Sequence, residues 1–309
     1  MKKRILSVLL ASLMLVGLLP IISVLAGPPT NVGCTTLQQT VFVGDTITWT
    51  VSADVTPKDN YQTRIDVVVN GVTEFNEPFN GKKGPAQHSH VAMIAGKTQA
   101  KGYAQDLGDN TIASVLSASV DVKLKPGPVV TSVSSINHTA LTVKWAAITG
   151  AAGYKIFTSA NPAGPYTLKR YATGTSAPIS FLTPGQRVFI KVSAYIESNG
   201  TKYDLTEQGP YKIGVPVGTA SITKIENYAA GRVRLTWKVA PGATGYEVWR
   251  STSPTTGFVR IRNANITSHI DTNLVRGRSY YYKIMPYARI FAVNYYGQWS
   301  MLRSIRLTK

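Results

Sequence analysis

Gly242-Ala-Thr-Gly-Tyr-Glu-Val-Trp-Arg-Ser251 is written twice in this chain of 309 residues. The earlier version is Gly150-Ala-Ala-Gly-Tyr-Lys-Ile-Phe-Thr-Ser159. Trp237 precedes the later copy and Trp145 the earlier. The same offset of 92 residues relates Tyr154 to Tyr246, Gly185 to Gly277 and Tyr195 to Tyr287. A fixed period is an architectural signal. This one is too long for a solenoid repeat and suits a small β-sandwich. Around the later copy, Val233, Leu235, Trp237 and Val239 alternate with Arg232, Arg234, Thr236 and Lys238, the period-two pattern of a half-buried strand. Trp237 and Trp145 would fill the space between two sheets. Tyr246 and Val248 continue inward on the next strand, which leaves Glu247 and Trp249 outward.

Upstream of the repeat the signals are also those of strands. In Thr46-Ile-Thr-Trp-Thr-Val-Ser-Ala53 the residues Ile47, Trp49, Val51 and Ala53 share one face. Arg64–Val69 reads as a second strand. Asn70-Gly71 predicts a tight hairpin, because both turn positions need positive φ. Further strands are expected at His90–Ala95, Thr98–Gln105 and Ile112–Leu124, and no stretch carries a sustained helical stripe. Lys125-Pro-Gly-Pro128 and Gly214-Val-Pro-Val-Gly218 punctuate the chain as linkers. The expected fold class is all-β: three tandem β-sandwich domains, at 27–125, 126–217 and 218–309, after an N-terminal signal peptide.

That signal peptide is read from Lys2, Lys3 and Arg4 followed by an apolar run from Ile5 to Ala26. Pro20 interrupts the run, and Val24-Leu25-Ala26 suits cleavage after Ala26. The competing reading is an uncleaved anchor, since the run is long enough to span a bilayer. Cleavage leaves no membrane span and an extracellular or cell-surface protein. Cys34 is the only cysteine, so no intramolecular disulfide is possible and each sandwich must rest on its apolar core. The net charge of +18 is unevenly placed. Residues 27–125 carry eight Lys and Arg against nine Asp and Glu, 126–217 eight against three, and 218–309 fourteen against three. Such asymmetry bears on partners rather than on fold.

The repeated units resemble a known family. Leu235-Thr-Trp237, the Gly242–Ser251 stretch, Leu274-Val-Arg-Gly277 and Tyr280-Tyr-Tyr-Lys-Ile284 are similar to a bacterial fibronectin type III domain. The middle unit is similar through Val143-Lys-Trp145, Gly153-Tyr154, Leu182-Thr-Pro-Gly185 and Val188–Val192. The resemblance implies two seven-strand sandwiches with Greek-key connections. Tyr280 stands six residues after Leu274, where the family places its tyrosine corner. Val188 occupies the equivalent place in the middle unit and has no hydroxyl, which implies a missing bond and a less stable domain. Val43-Gly-Asp-Thr-Ile-Thr-Trp49 looks like the opening of bacterial immunoglobulin-like surface domains, so the first sandwich is expected to be of that type.

No catalytic constellation stands out: no Ser-His-Asp set in context, no glycine-rich phosphate loop opening a helix and no metal motif. Neither cofactor nor metal is expected. Gln87-His88-Ser-His90 offers two imidazoles but no third ligand, and reads as a solvated loop edge. Asp106 and Asp109 lie in the same unit. The stronger candidate is an exposed sheet face of the third unit. Trp249 and Tyr281 would form a flat aromatic platform there, with Lys283 beside it and Arg260 and Arg262 alternating outward on the next strand. Lys155, Phe157, Phe189 and Lys191 would repeat the arrangement in the middle unit. Cross-strand pairing that merely stabilises an exposed sheet is the competing account. The hairpin 288–300 adds Arg289 and Tyr296, residue types enriched at binding hot spots. Tyr295 and Trp299 of that hairpin alternatively close the open end of the core.

Three functions follow. One is an exported, non-catalytic binding or adhesion protein whose basic third domain docks on an anionic cell-wall polymer or polysaccharide. Another is a structural spacer or surface-assembly protein with a protein partner. The third is an accessory binding subunit of an extracellular polysaccharide-degrading enzyme. Nucleic acid enters only as a polyanion, through phosphate contacts without sequence specificity.

Overall fold

The computed structural model describes residues 29–54, 61–79, 81, 83–108 and 110–309. The expected signal peptide lies outside the described residues, as does Asp109. Every regular element among the described residues is a β-strand. The described residues gather into two compact units. One holds the chain up to Lys125 together with Ile196–Glu207, and the other holds Pro126–Tyr195 together with Gln208–Lys309.

The first unit is built on β1 (Thr30–Thr35), β2 (Thr40–Phe42), β3 (Thr46–Asp54), β4 (Tyr61–Val69), β5 (Val72–Asn76), β6 (Ala86–Val91), β7 (Gly96–Asp106), β8 (Ile112–Leu116) and β9 (Val120–Lys123). One sheet has the order β1-β3-β6. The other has the order β2-β9-β7-β4-β5, with β8 also on β7. β2 runs parallel to β9 while the other pairs are antiparallel, which gives an immunoglobulin-like sandwich. Ile47, Trp49 and Val51 are buried as their alternation predicts, and Asn70 and Gly71 take φ of 48° and 84° in the β4–β5 hairpin. Two expectations are corrected. The strand placed at His90–Ala95 lies earlier, at Ala86–Val91, because β6 registers on β3 with Val91 opposite Thr46. The strand placed at Ile112–Leu124 is broken, because Ser117 turns its hydroxyl to accept from the Ala100 N–H at 2.9 Å. The hairpin 196–207 belongs to this unit, and the Leu205 carbonyl accepts from the Lys125 N–H at 3.0 Å.

The second unit carries the repeat. Its earlier sandwich has β10 (Val130–Asn137), β11 (Ala140–Trp145), β12 (Gly153–Ser159), β13 (Thr167–Ala172), β14 (Ser176–Ile179), β15 (Val188–Ser198) and β17 (Lys212–Gly214), with β15 running on from Ile196 into the hairpin that it forms with β16 (Thr201–Asp204) in the first unit. Its later one has β18 (Ser221–Ala229), β19 (Arg232–Lys238), β20 (Gly245–Ser251), β21 (Val259–Ala264), β22 (Ser268–Asp271), β23 (Ser279–Ile290), β24 (Val293–Tyr296) and β25 (Arg303–Arg306). The sheet orders match strand for strand. β10-β11-β14 corresponds to β18-β19-β22. β13-β12-β15-β16 with β17 on β15 corresponds to β21-β20-β23-β24 with β25 on β23. This is the fibronectin type III arrangement, a three-stranded sheet facing a larger one.

The repeated residues do the same work twice. Trp145 and Trp237 are buried, each edge-on to the tyrosine of the next strand, with ring centroids 5.4 Å and 5.7 Å apart. Those tyrosines, Tyr154 and Tyr246, accept from the N–H of Ile148 at 3.0 Å and of Ala240 at 2.9 Å, closing the preceding loop. Tyr61 does the same for Ala53 in the first sandwich, at 3.0 Å. Tyr195 and Tyr287 lie over Gly153 and Gly245, where no Cβ would fit. Tyr280 makes the expected corner, its hydroxyl accepting from the Val275 N–H at 2.8 Å. Val239 departs from its expected inward place: β19 ends at Lys238, and Val239 is 68% exposed beside the buried Ala240.

The two sandwiches of this unit meet at a tight joint. Val215 and Val217 are buried with Ala288, and Ile213, Ala243, Ile290 and Tyr295 pack against them. The Gly185 N–H donates to the Pro216 carbonyl and the Gly218 N–H to the Pro241 carbonyl, each at 2.9 Å. Gly185 and Gly242 approach backbone to backbone, so a Cβ on Gly185 would stand 2.9 Å from the Gly242 Cα.

Candidate functional site

The outward face of the larger sheet in the later sandwich is set by register. Glu247 lies opposite Met285 on β23, Trp249 opposite Lys283, and Ser251 opposite Tyr281. On the other side Trp249 faces Arg260 and Glu247 faces Asn263. These pairings bring Trp249, Arg260 and Lys283 to one patch, and β24 adds Tyr296 beside Tyr287.

The centre of that patch is Glu247, which the alternation alone makes an ordinary solvent-facing acid. It is 3% exposed. Its carboxylate accepts from Arg260 at 2.7 Å, from the Trp249 indole N–H at 3.1 Å and from the Tyr296 hydroxyl at 3.2 Å. Three donors, one of them charged, replace the water that burial removes. Trp299 comes back over the sheet to meet Trp249 edge-on, with centroids 5.7 Å apart, and the Lys283 ammonium sits between the Trp299 and Phe258 rings at 4.1 Å and 4.3 Å. Tyr287 and Tyr296 are also edge-to-face, and the Tyr287 hydroxyl donates to Asn263 at 2.6 Å.

This geometry corrects the flat-platform expectation. The rings interlock edge to face, and Lys283 occupies ring faces that a sugar would need. Arg260 is held by Glu247 rather than offered to a ligand. Arg262 does not share the face of Arg260. A bulge opposite Val248 and Trp249 inserts Ile261, so Arg262 pairs with the inward Val248 whereas Arg260 pairs with the outward Trp249. Tyr281 keeps the outward face, farther along β23 and opposite Ser251 and Ser304. Arg289 is exposed at the other end of that strand, its backbone N–H held by Thr244 Oγ1 at 2.8 Å. Tyr295 packs into the joint, whereas Trp299 joins the patch. In the middle sandwich the equivalent cation–ring pair recurs as Lys191 over Tyr166 at 4.5 Å, and Phe189 is buried under Tyr211. Lys155 stands where the later sandwich has Glu247, so the acid-centred patch belongs to the later sandwich.

The other carboxylates of 218–309 are equally engaged. Glu226 pairs with Lys224 at 2.8 Å and Arg234 at 3.6 Å. The Lys224 hydrogen bond holds its carboxyl below the usual range. Buried Asp271 takes both its oxygens to Arg250, at 2.9 Å and 3.1 Å, and accepts from Tyr282 at 2.7 Å. Burial, with Asp271 nearby, raises the Tyr282 phenol. Burial lowers the His269 imidazole.

The histidines of the first sandwich are not at a solvated loop edge. His88 faces inward opposite Trp49, its ring nitrogens 2.9 Å from Thr63 Oγ1 and 2.8 Å from a Glu77 oxygen. Threonine, histidine and carboxylate in line repeat the order of a hydrolytic triad. However, Thr63 is 0% exposed, so its hydroxyl meets no substrate. His90 stacks on Phe75 at 5.0 Å, and its imidazole is lowered by burial. Among the described residues no three His, Cys, Asp or Glu side chains gather as a metal site would require. Asp106 caps a turn, accepting from the Gly108 N–H at 2.6 Å.

No family model matches this chain. A Kelch domain-containing protein of Sulfurisphaera tokodaii is 30% identical over 214 residues, which is 67% of this chain and 28% of that protein. The chain thus spans little more than a quarter of that relative. Among solved structures, the FN1-FN3 domains of chicken CNTN1 share 14% identity over 89% of this chain and 99% of theirs, with a TM-score of 0.31. A two fibronectin type III domain segment of chicken tenascin shares 17% identity over 58% of this chain and 99% of its own, also with a TM-score of 0.31.

Proposed function

We propose that this chain is an exported, non-catalytic binding or adhesion protein of the cell surface or extracellular space, and that its third sandwich docks on an anionic polymer. The observation that carries this reading is the state of its charges. Residues 218–309 hold fourteen Lys and Arg. Lys224, Arg234, Arg250 and Arg260 occupy all three carboxylates, and the other ten cations have no carboxylate partner among the described residues. A surface of one sign attracts polyanions over a Debye length and loses them to salt. The edge-to-face packing of the aromatic patch favours charge over ring stacking as the means of binding.

The test is retention of residues 27–309 on immobilised heparin and on uncharged agarose across a sodium chloride series. Retention on heparin alone, released by salt, is expected. Flow-through on both at low salt removes the reading. In that case the spacer function gains, and the glycine-tight joint between the second and third sandwiches is the observation that favours it.

A further inference from the structure

We infer that the polyanion docks on one end of the third sandwich, not on its sheet face, and that the partner is an acidic polysaccharide. This assignment rests on the charge-driven reading above and adds where the contact lies. The end is assembled from three stretches far apart in sequence. The Gly231 N–H donates to the Lys309 carbonyl at 3.2 Å, and the Leu274 N–H donates to the Gly231 carbonyl at 3.1 Å. The Gly277 N–H donates to the Leu307 carbonyl at 2.8 Å, and the Leu307 N–H returns to the Arg278 carbonyl at 3.0 Å. The β18–β19 turn, the loop before β23 and the C-terminal strand are thereby tied into one surface. That surface carries Arg232, Arg276, Arg278, Arg306 and Lys309, all exposed.

Two acids stand near this end, and both are closed. Glu226 is held by Lys224 and Arg234, and it also feels Lys309. Asp271 is buried under Arg250. Among the described residues no side-chain carboxylate pairs with any of the five cations. Four of them are guanidinium groups, whose planar forks match the paired oxygens of a carboxylate, sulfate or phosphate alike. Of the rings at this end, Tyr280 is buried with its hydroxyl on the Val275 N–H, and Tyr228 has one face covered by the Arg234 guanidinium at 3.6 Å, which leaves little open ring surface to stack a base. Single-stranded nucleic acid binding relies on such stacking. Acidic sugar chains need only the cations.

The test compares two triple variants of residues 27–309 that remove equal charge. One is Arg276→Gln with Arg278→Gln and Arg306→Gln at the end. The other is Lys238→Gln with Arg262→Gln and Arg289→Gln away from it. All six side chains are exposed, and near-ultraviolet circular dichroism checks that both variants fold. For heparin, the end variant should lower the slope of log affinity against log salt by about 3, one for each contact removed. The second variant should change it by less than about 1. Equal losses, or a greater loss in the second variant, would overturn the location while leaving polyanion binding intact. Failure of the unaltered chain to bind heparin would overturn the underlying reading instead. Tighter binding to duplex DNA than to heparin at equal charge concentration would overturn the choice of polysaccharide.

Discussion

Tyr280 and Val188 show how much one hydroxyl decides. At Tyr280 the phenol oxygen gives the Val275 N–H a partner in a loop that would otherwise present it to water. Val188, at the same place in the earlier sandwich, supplies none. Tyr280→Phe should cost about 1 kcal/mol and speed amide exchange at Val275 ahead of the surrounding strands; unchanged exchange there would show that the corner bond does not hold the loop. Cys34 gives a second residue-scale test. It is buried, and burial pushes its thiol up from 9.0 to about 12. The folded chain therefore favours the thiol over the thiolate. The stability this contributes is full below pH 9.0 and is lost as pH rises toward 12. At pH 8 a thiol reagent should label Cys34 only after denaturant is added, and prompt labelling of the native chain would contradict its burial. Both residues were legible in part. The family resemblance implies the corner from spacing, and a lone cysteine reads only as unable to form an intramolecular disulfide. Glu247 was not legible, because an acid between two inward residues looks solvated until Tyr296 and Arg260 are folded over it.

At the scale of elements, period two carried most of the reading, and it failed wherever one residue was added to a strand. β3 and β19 bury their alternate residues as written, whereas β20 buries Glu247 along with Tyr246 and Val248. The bulge at Ile261 turns Arg262 to the other side of β21, and Ser117 divides β8 from β9. A bulge leaves no mark in hydrophobic alternation when the strand is short and at an edge, since few buried positions exist to set its phase. The consequence reaches the sheet face. Glu247→Ala should destabilise the third sandwich by about 1–3 kcal/mol, because Trp249 and Tyr296 each lose an acceptor, whereas Glu247→Gln should lose less. Urea unfolding followed by tryptophan fluorescence checks this, and equal midpoints for the alanine variant and the unaltered chain would make the carboxylate a spectator. Arg260→Glu would set a second carboxylate against the buried one, so it should destabilise the sheet as well as alter charge.

At the scale of the molecule, the repeat explains both what the second and third sandwiches share and how they join. Gly185 and Gly242 belong to the repeated stretches, where φ of 73° and 77° already favours glycine as it does at Gly277 and Gly150, and the joint adds a second constraint. Each also has the other domain's backbone against it, so a Cβ would meet that backbone as well as strain its own turn. A single sequence shows a recurring glycine but not what stands opposite it, so the joint could not be read before the fold. Gly242→Val should open the joint and speed exchange in residues 213–218, whereas Gly150→Val, at a φ of 83° with open space around it, should strain its own turn equally and leave that exchange unchanged. Unaltered exchange in the Gly242→Val chain would mean the contact does not hold the pair together. The charge asymmetry was legible from composition. Its arrangement was not, because the cations at the end of the third sandwich come from stretches as far apart as Arg232 and Lys309.

The most direct measurement is the affinity of residues 27–309 for heparin at several sodium chloride concentrations, by isothermal titration. A polyanion-docking third sandwich predicts a linear fall of log affinity with log salt, steep enough to report several contacts and abolished when residues 218–309 are removed. Affinity that is insensitive to salt, or that survives removal of those residues, would contradict the account.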